Sequence, residues 1–470
     1  MYSSPFLSMS DPNSTSAVRL TWATLESDSG VVVAERSVTR ALLLVNVCGF
    51  LMGYYAMPNH WFQMAWFICM TVVWLLFGGM QQLFVGLSHD LWLRCTIGMV
   101  FAMMIRSSIF GSPGMGIREL WFGWMSSGLL MIVMTVFWQV GTVAQTSRIL
   151  STALAASAAV AAFGSLAVFY FLDERAVFGQ RLTNWFIYGG WNSVCTGMTF
   201  GFAAVWSIHR WHHALKRLEK ACFLGISIFL VWATLLTMSR GALLALVAGH
   251  GALVLSRGWR FSLRPVLLLL ACLGCFQVLA PQITKMGVRD LSEHSGSPKL
   301  TEAMTADGVV ASNPAKRLIT RGDTHRFSIY AAGFSSITTT SDWLIGKGLW
   351  SSNDRWSCSL PWNPEHLHSI FIDALVRGGV PALACLLGVL VWGLYRAWWL
   401  AKRGEEIWIM LASFGVAGLV FDGDSAFALL SVPRFETLIL WLPLVLASVR
   451  YTLVKREQGA AISTEVPSPF

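Results

Sequence analysis

Three motifs in the second half of the chain combine residue types that bind anions and move protons. Ser239-Arg240-Gly241 lies between two apolar runs, where the boundary of a bilayer is expected. The polar segment 281–367 carries Arg321 and Arg326, and His366-Leu-His368-Ser369 stands where the next apolar run begins. Arginine stays charged at any relevant pH and imidazole titrates near neutrality. Together they indicate a site that holds an anion and transfers a proton.

Arg240 has the position and the chemistry to bind a phosphate group. Its guanidinium offers a planar fork of N–H donors that matches two phosphoryl oxygens. An unpaired arginine at mid-bilayer costs roughly 2.5–3.5 kcal/mol on insertion scales, and snorkelling to the interface reduces that cost. Position alone leaves two interpretations open for Arg240 and its neighbour Ser239: a phosphate clamp, or a contact with a lipid headgroup.

Arg321 and Arg326 are five residues apart, so on one helix they project about 140° away from each other and do not both face one site. Arg326 opens the apolar stretch 327–334, which is expected to form a short helix against the membrane domain. This favours Arg326 as the second phosphate ligand and keeps Arg321 as the alternative. Either arginine is also compatible with an ordinary solvated charge in a polar loop.

His368, with His366 two residues before it, is the candidate for proton transfer, because neutral imidazole suits the removal of a proton from a sugar hydroxyl. Apart from Glu365 and Asp373, no further metal ligand stands near the two histidines at the spacing typical of zinc sites, so no metal site is predicted here. The chain has no Ser/His/Asp order, phosphate-cradling glycine loop or nucleotide fingerprint. No cofactor is therefore expected.

The composition indicates an all-α integral membrane protein. The hydrophobic fraction is 55% and the mean hydropathy is +0.58, above the values of ordinary soluble domains. Twenty-three tryptophans and 29 phenylalanines suit aromatic belts at the membrane interface. The net charge of +9 comes from cations in short loops rather than from a basic domain, so nucleic acid is not expected as a partner.

Apolar windows predict about twelve transmembrane helices. They lie near 41–57, 61–80, 91–110, 119–141, 149–172, 185–207, 220–238, 241–256, 265–280, 379–400, 405–422 and 434–453. The third window is the weakest, since it contains Arg94 and Arg106, and its loss would invert the topology downstream. An amphipathic stretch, 370–377, precedes the tenth window and ends at Gly378-Gly379, which favours an interfacial helix.

Basic loops after windows six, eight, ten and twelve set the orientation, because positive charges near membrane ends stay in the cytoplasm. The predicted organisation has cytoplasmic tails at 1–40, where no signal peptide is expected, and at 454–470. Helices one to nine occupy 41–280, and an interfacial helix with helices ten to twelve occupies 368–453. The segment 281–367 then forms one large loop on the opposite face, the periplasmic side of a bacterial inner membrane.

Taken in order, the motifs resemble those of the O-antigen ligase and polymerase family. They are Ser239-Arg240-Gly241-Ala, Arg326 before an amphipathic turn, Gly346-Lys-Gly348, His366-Leu-His368-Ser369 and Gly378-Gly379. The resemblance covers roughly residues 185–400. It implies a metal-independent membrane glycosyltransferase that takes a glycan from undecaprenyl diphosphate and attaches it to an acceptor hydroxyl. By the same resemblance Arg240 and Arg326 hold the diphosphate and His368 is the catalytic base.

Ser369 departs from the family pattern, in which asparagine often follows the histidine. The short stretch 173–184 after the fifth window favours a ligase, which transfers to lipid A–core in lipopolysaccharide biosynthesis, because the polymerases tend to carry two large loops. An O-antigen or exopolysaccharide polymerase and a protein O-oligosaccharyltransferase remain alternatives within the family. A twelve-helix transporter is the alternative from another class, although the charges gather at one boundary rather than at mid-bilayer.

Overall fold

The protein is all-helical wherever its structure is described, as the composition predicts. The computed structural model describes residues 41–42, 44–49, 51–57, 59–77, 79–110, 128, 131–132, 143–172, 181–184, 186, 192–294, 326–348, 366–423 and 434–465. Most apolar windows that fall on these residues coincide with one helix each. The window at 61–80 instead covers one helix and the start of the next, which is bent by 82° relative to it, and the window at 119–141 falls largely outside the described residues.

Fourteen helices are numbered here in chain order over the described residues. They are α1 (Leu44–Tyr54), α2 (His60–Leu76), α3 (Gly79–His89), α4 (Leu91–Phe110), α5 (Val143–Ala167, continued by a π-helical turn, Val168–Leu172), α6 (Ser193–His213), α7 (Arg217–Leu236), α8 (Arg240–Arg257), α9 (Trp259–His294), α10 (Arg326–Ser335), α11 (Thr340–Ile345), α12 (Ile370–Ala401), α13 (Ile407–Asp422) and α14 (Leu442–Glu465, preceded by a π-helical turn, Thr437–Trp441).

Five of these helices are long and apolar enough to cross a membrane within the described part of the chain. A sixth span results if α2 and α3, which are bent by 82° relative to each other, are taken as one. With α1, α4 and α13 as shorter apolar helices, the chain is a multi-pass membrane protein. The count of twelve spans and the sidedness of the loop stay predictions.

The ninth predicted window ends where the apolar span ends, at Ala280, but α9 continues to His294. An apolar window marks the part of a helix that lies in the bilayer and not the end of the helix, so it does not predict how far a helix extends beyond the membrane. The first residues of the predicted loop 281–367 are therefore helical.

The helices α8 and α13 pack closely side by side because small residues let their backbones approach. A Cβ atom added at Gly249 in α8 would lie 2.9 Å from the carbonyl oxygen of Met410 in α13. Deeper in the core, the rings of Trp206 and Trp408 meet edge to face at 6.4 Å between centroids. This packing aligns the start of α8 with the end of α13 at one end of the bundle.

A buried ion pair joins the start of α4 to α12 and α14. Arg396 Nη1 donates to Oδ1 of Asp90 at 2.7 Å, and both side chains are almost fully buried. The hydroxyls of Ser448 and Thr452 donate to Oδ2 of Asp90 at 2.5 and 3.2 Å. Every contact of Asp90 is a charge-assisted hydrogen bond, and these bonds offset the free-energy cost of removing the two charges from water. Loss of one partner would leave the other as an unpaired buried charge.

The predicted interfacial helix at 370–377 is present as the first part of α12 and ends at the predicted glycine pair, where a kink separates it from the rest of α12. Gly379 has φ of 70°, a left-handed conformation that favours glycine. A Cβ atom there would lie 2.6 Å from the carbonyl oxygen of Trp343, so α11 also requires the absence of a side chain. The predicted turn at 346–348 docks on the same bend, where Lys347 N–H donates to the carbonyl of Val376 at 2.9 Å.

Candidate active site

The turn between α7 and α8 places Arg240 at the first position of a helix. Ser239 is the N-cap of α8, and its Oγ accepts the N–H of Ala242 at 3.3 Å. Met238 has φ of 49°, which reverses the chain, and Thr237 Oγ1 accepts the N–H of Ser239 at 3.3 Å. Free N–H groups at a helix N-terminus attract anions, so the guanidinium of Arg240 extends from a backbone that favours negative charge.

Arg181 supports this turn from a segment that the sequence analysis did not single out. Its Nε donates to the carbonyl of Thr237 at 2.9 Å, and Leu182 N–H donates to the carbonyl of Leu236 at 3.0 Å. On the other side, a Cβ atom at Gly197 of α6 would lie 2.5 Å from Thr237 Oγ1. Contacts from two segments therefore fix the turn. Arg181 could have been identified from the sequence by its position at the boundary of an apolar window, the same feature that identified Arg240.

Arg326 and Arg240 line one pocket of about 390 Å³. The pocket is lined by Arg240, Gly241, Leu244, Arg326, Phe327, Tyr330 and Phe421. Arg326 is the first residue of α10, so the short helix predicted from Arg326 onward is present and brings this side chain to the end of α8. Two cations beside apolar and aromatic walls suit a ligand that joins an anionic group to a hydrocarbon chain.

His368 lies beside this pocket and is held through its backbone. The hydroxyl of Tyr330, which lines the pocket, donates to the carbonyl of His368 at 3.4 Å. His368 has φ of 53°, a left-handed conformation that costs a non-glycine residue on the order of 1–2 kcal/mol. The fully buried side chain of Leu367 anchors the segment in a small apolar cluster, and Ser369 is the N-cap of α12. Serine and asparagine are both favoured at an N-cap, but the Ser369 side chain makes no capping hydrogen bond to α12.

Burial and nearby positive charges keep both histidines neutral. Burial lowers the pKa of His368 to about 3, and His366 and Arg326 add to the shift. Burial likewise lowers the pKa of His366 to about 4, with Arg434 and Arg377 adding to it. The two rings lie 4.1 Å apart between centroids. At neutral pH each imidazole therefore keeps a lone pair that can accept a proton, and His368 is within the electrostatic influence of Arg326.

A further group of charges lies near His366. Arg377 Nε donates to Oδ1 of the fully buried Asp373 at 2.6 Å, one helical turn away. Arg434 Nε lies 3.9 Å from Oε2 of Glu436, which is fully buried. From the sequence, Asp373 was predicted only as a possible metal ligand, and the other three residues were not predicted to belong to the site. The spacing of Asp373 and Arg377 was readable as a helical ion pair, whereas the approach of Arg434 and Glu436 depends on the fold.

The structure thus brings Arg240 and Arg326 to one pocket, with His368 and His366 next to it and Ser239 capping the helix that carries Arg240. Arg321 lies outside the described residues. The roles assigned to these side chains stay predictions. Among the described residues, the group of histidines and acids with the geometry of a metal site lies elsewhere and does not include His366 or His368.

Residues 225–387 match the family model described as O-antigen ligase. The matched part runs from α7 to the middle of α12 and includes Arg240, Arg326, His366 and His368. No curated protein matches the chain.

Proposed function

We propose that this chain, which carries an O-antigen ligase domain over residues 225–387, transfers a glycan from undecaprenyl diphosphate to a lipid A–core sugar on the periplasmic side of the inner membrane. The observation that carries the proposal is the shared pocket of Arg240 and Arg326 with His368 linked to its wall by Tyr330. Cations, an apolar wall and a neutral imidazole are what a lipid-diphosphate donor and a hydroxyl acceptor require.

In the proposed reaction the acceptor hydroxyl oxygen forms a bond to the anomeric carbon of the donor glycan. The bond from that carbon to the diphosphate oxygen breaks, and the diphosphate leaves with the electron pair. Arg240 and Arg326 bind the charge that develops on the leaving group, which lowers the barrier most where the donors are already in place. His368 accepts the hydroxyl proton and passes it on to solvent or to the departing diphosphate.

The residues of this chain supply the necessary charge for that step. A lipid diphosphate is stable as an anion, so two arginines offset the charge for which other enzymes recruit a divalent ion. Apolar side chains make up much of the remaining wall, with Phe327 72% exposed at the surface of the bundle. An exposed aromatic residue in the wall of the pocket suits contact with the isoprenoid chain of the carrier.

A reconstituted transfer assay tests the proposal. The protein is placed in lipid vesicles with a glycan-linked undecaprenyl diphosphate donor, with or without a lipid A–core acceptor, and release of undecaprenyl diphosphate is measured. Acceptor-dependent release is the expected result. Release that needs only donor molecules would identify a polymerase, and glycan movement across the membrane without release would identify a transporter.

The base assignment is tested in the same assay with His368→Gln. We expect the single-turnover rate at saturating donor and acceptor to fall by about 10²–10⁴, the usual contribution of general base catalysis. His89→Gln, at an exposed position at the end of α3, is the matched control and should transfer normally. A His368→Gln protein that binds donor and transfers at the wild-type rate would exclude His368 as the base.

A further inference from the structure

A second cluster of chemically competent side chains lies at the opposite end of α8 from the pocket. Arg240 and Arg257 are the first and last of the 18 residues of α8, so they are about 26 Å apart along the helix axis. At that far end Arg257 Nε lies 3.8 Å from Oε2 of Glu406, and His209 and His213 of α6 face the same carboxylate. The cluster is therefore separated from the proposed transfer site by about the thickness of a bilayer core.

Two imidazoles converge on one carboxylate oxygen in this cluster. His213 Nε2 lies 2.5 Å from Oε1 of Glu406, and His209 Nε2 lies 3.6 Å from the same atom. His209 and His213 are four residues apart on α6, which places both rings on one helical face. One ligand atom from each of the three residues lies within 4.8 Å of the other two.

Burial makes the carboxylate a preorganised ligand. The side chain of Glu406 is 1% exposed, and its Oε2 makes no hydrogen bond within the described residues, although Arg257 stands near it. His209 is 18% exposed and His213 is 36% exposed, so the cluster opens to solvent on the His213 side. A buried carboxylate with one open flank of imidazoles is accessible to a small cation and shielded from larger ligands.

We propose that His209, His213 and Glu406 bind a divalent transition metal ion of the zinc class. Two imidazoles and one carboxylate are a usual ligand set for Zn²⁺, and water occupies the fourth position in such sites. Metal–ligand bonds of about 2.0–2.1 Å in a tetrahedron separate neighbouring ligand atoms by about 3.3 Å. The His209–Glu406 distance of 3.6 Å is close to this value.

His213 requires a small adjustment to take its place in the coordination shell. Its Nε2 has to move away from Oε1 by about 1 Å to reach the tetrahedral separation. The partial exposure of His213 leaves room for that change. Arg257 approaches the other carboxylate oxygen, Oε2, so it can stay in place while a metal occupies the Oε1 side.

A metal here would have a structural role. Glu406 is the N-cap of α13 and follows the connection from α12, whereas both histidines belong to the last turns of α6. A shared ion would tie α6 to the α12–α13 connection, and α12 and α13 carry Asp373 and Phe421 at the candidate site end. This role is independent of the metal-independent transfer proposed above.

Metal counting tests the site. The protein is purified in detergent, freed of any polyhistidine tag and of metal by chelation, equilibrated with Zn²⁺ and dialysed, and bound zinc is measured by mass spectrometry. We expect one Zn²⁺ per chain and a tetrahedral visible spectrum when Co²⁺ replaces Zn²⁺. His209→Gln, His213→Gln and Glu406→Gln should each weaken binding by more than about 10-fold, because even changes outside the ligand shell cost about 10–100-fold.

His212→Gln is the matched control. His212 is the neighbour of His213, but its ring packs on Phe261 at 4.7 Å between centroids and it is not part of the triad. It should retain zinc as the wild type does. If Glu406→Gln fails to fold, the more exposed His213→Gln decides. A wild-type protein that retains no zinc, or triad variants that retain as much as His212→Gln, would overturn the site and show a hydrogen-bonded cluster only.

Discussion

Replacing Arg240 or Arg326 by lysine isolates the geometry of the guanidinium from its charge. Both residues line the same pocket, and each is partly buried. Lysine keeps one positive charge on a flexible stem but presents no planar fork, so it replaces two parallel hydrogen bonds to a phosphoryl group by one. If the pocket binds the donor diphosphate, each substitution should impair transfer while leaving membrane insertion intact.

The size of the effect follows from the number of bonds lost. A hydrogen bond to a charged group contributes about 1.5–3 kcal/mol, and each 1.36 kcal/mol of transition-state stabilisation is tenfold in rate. The loss of one bond per arginine therefore predicts a decrease in kcat/KM of about 10–150-fold for Arg240→Lys and for Arg326→Lys. Because both side chains face one pocket, their effects in the double variant should be non-additive.

The measurement is release of undecaprenyl diphosphate by purified variants in vesicles, at matched protein levels. Arg260→Lys is the control, since Arg260 is exposed in α9, at the far end of the bundle from the pocket. It should transfer as the wild type does. Normal kcat/KM for both pocket variants, or an equal loss in Arg260→Lys, would refute the view that guanidinium geometry in this pocket holds the diphosphate.

Three further predictions follow from burial and charge. Lowering the pH from about 6.5 toward 4 should lower the thermal unfolding midpoint. The pKa values of His366 (about 4) and His368 (about 3) are depressed in the folded protein, so the unfolded chain binds protons in this range and the folded chain does not. The midpoint should change less with pH in a His366→Gln, His368→Gln variant. In a chain without native cysteines, Ser341→Cys should react with an impermeant maleimide in intact spheroplasts and Leu215→Cys only after permeabilisation, and the reverse pattern would invert the topology. Arg396→Ala should destabilise the protein by about 3–5 kcal/mol in thermal or denaturant unfolding, since a buried carboxylate loses its partner, whereas an unchanged midpoint would show that the pair is dispensable.

Hydropathy predicted the helices because the bilayer imposes apolar runs of nearly fixed length. It predicted the end of the apolar span at Ala280 but not the helix beyond it, since a polar helix in water carries no such signal. The end of the interfacial helix at the glycine pair was predicted correctly, because Gly379 has non-helical dihedral angles and a kink separates the two parts of α12. The docking of α11 on that kink was not predictable, since it depends on packing that sequence spacing does not reveal.

The candidate site was predictable to the extent that its chemistry is local. Arg240, Arg326 and His368 each begin or precede an apolar helix, and that position at a boundary is visible in the sequence. Arg434, with Glu436 beside it, approaches His366 only through the return of the last helix, so this contribution to the site was not predictable. Glu406 and His213 are 193 residues apart in the sequence, so their contact could not be predicted. From the sequence alone, the histidines at 209–213 appear to be part of a basic loop.

The low pKa of His368 bears directly on how a base can operate in the proposed site. Near pH 7 the imidazole is neutral, but a pKa of about 3 makes it a weak base while the pocket is empty. Arg326 is one cause of that depression, and a bound diphosphate would neutralise the arginine and add negative charge beside the ring. Both changes would raise the pKa of His368, although burial, the largest cause of its depression, would remain. In the proposed site the arginines would therefore bind the leaving group and also make His368 a stronger base when the donor is bound, which disfavours activation of water at an empty site.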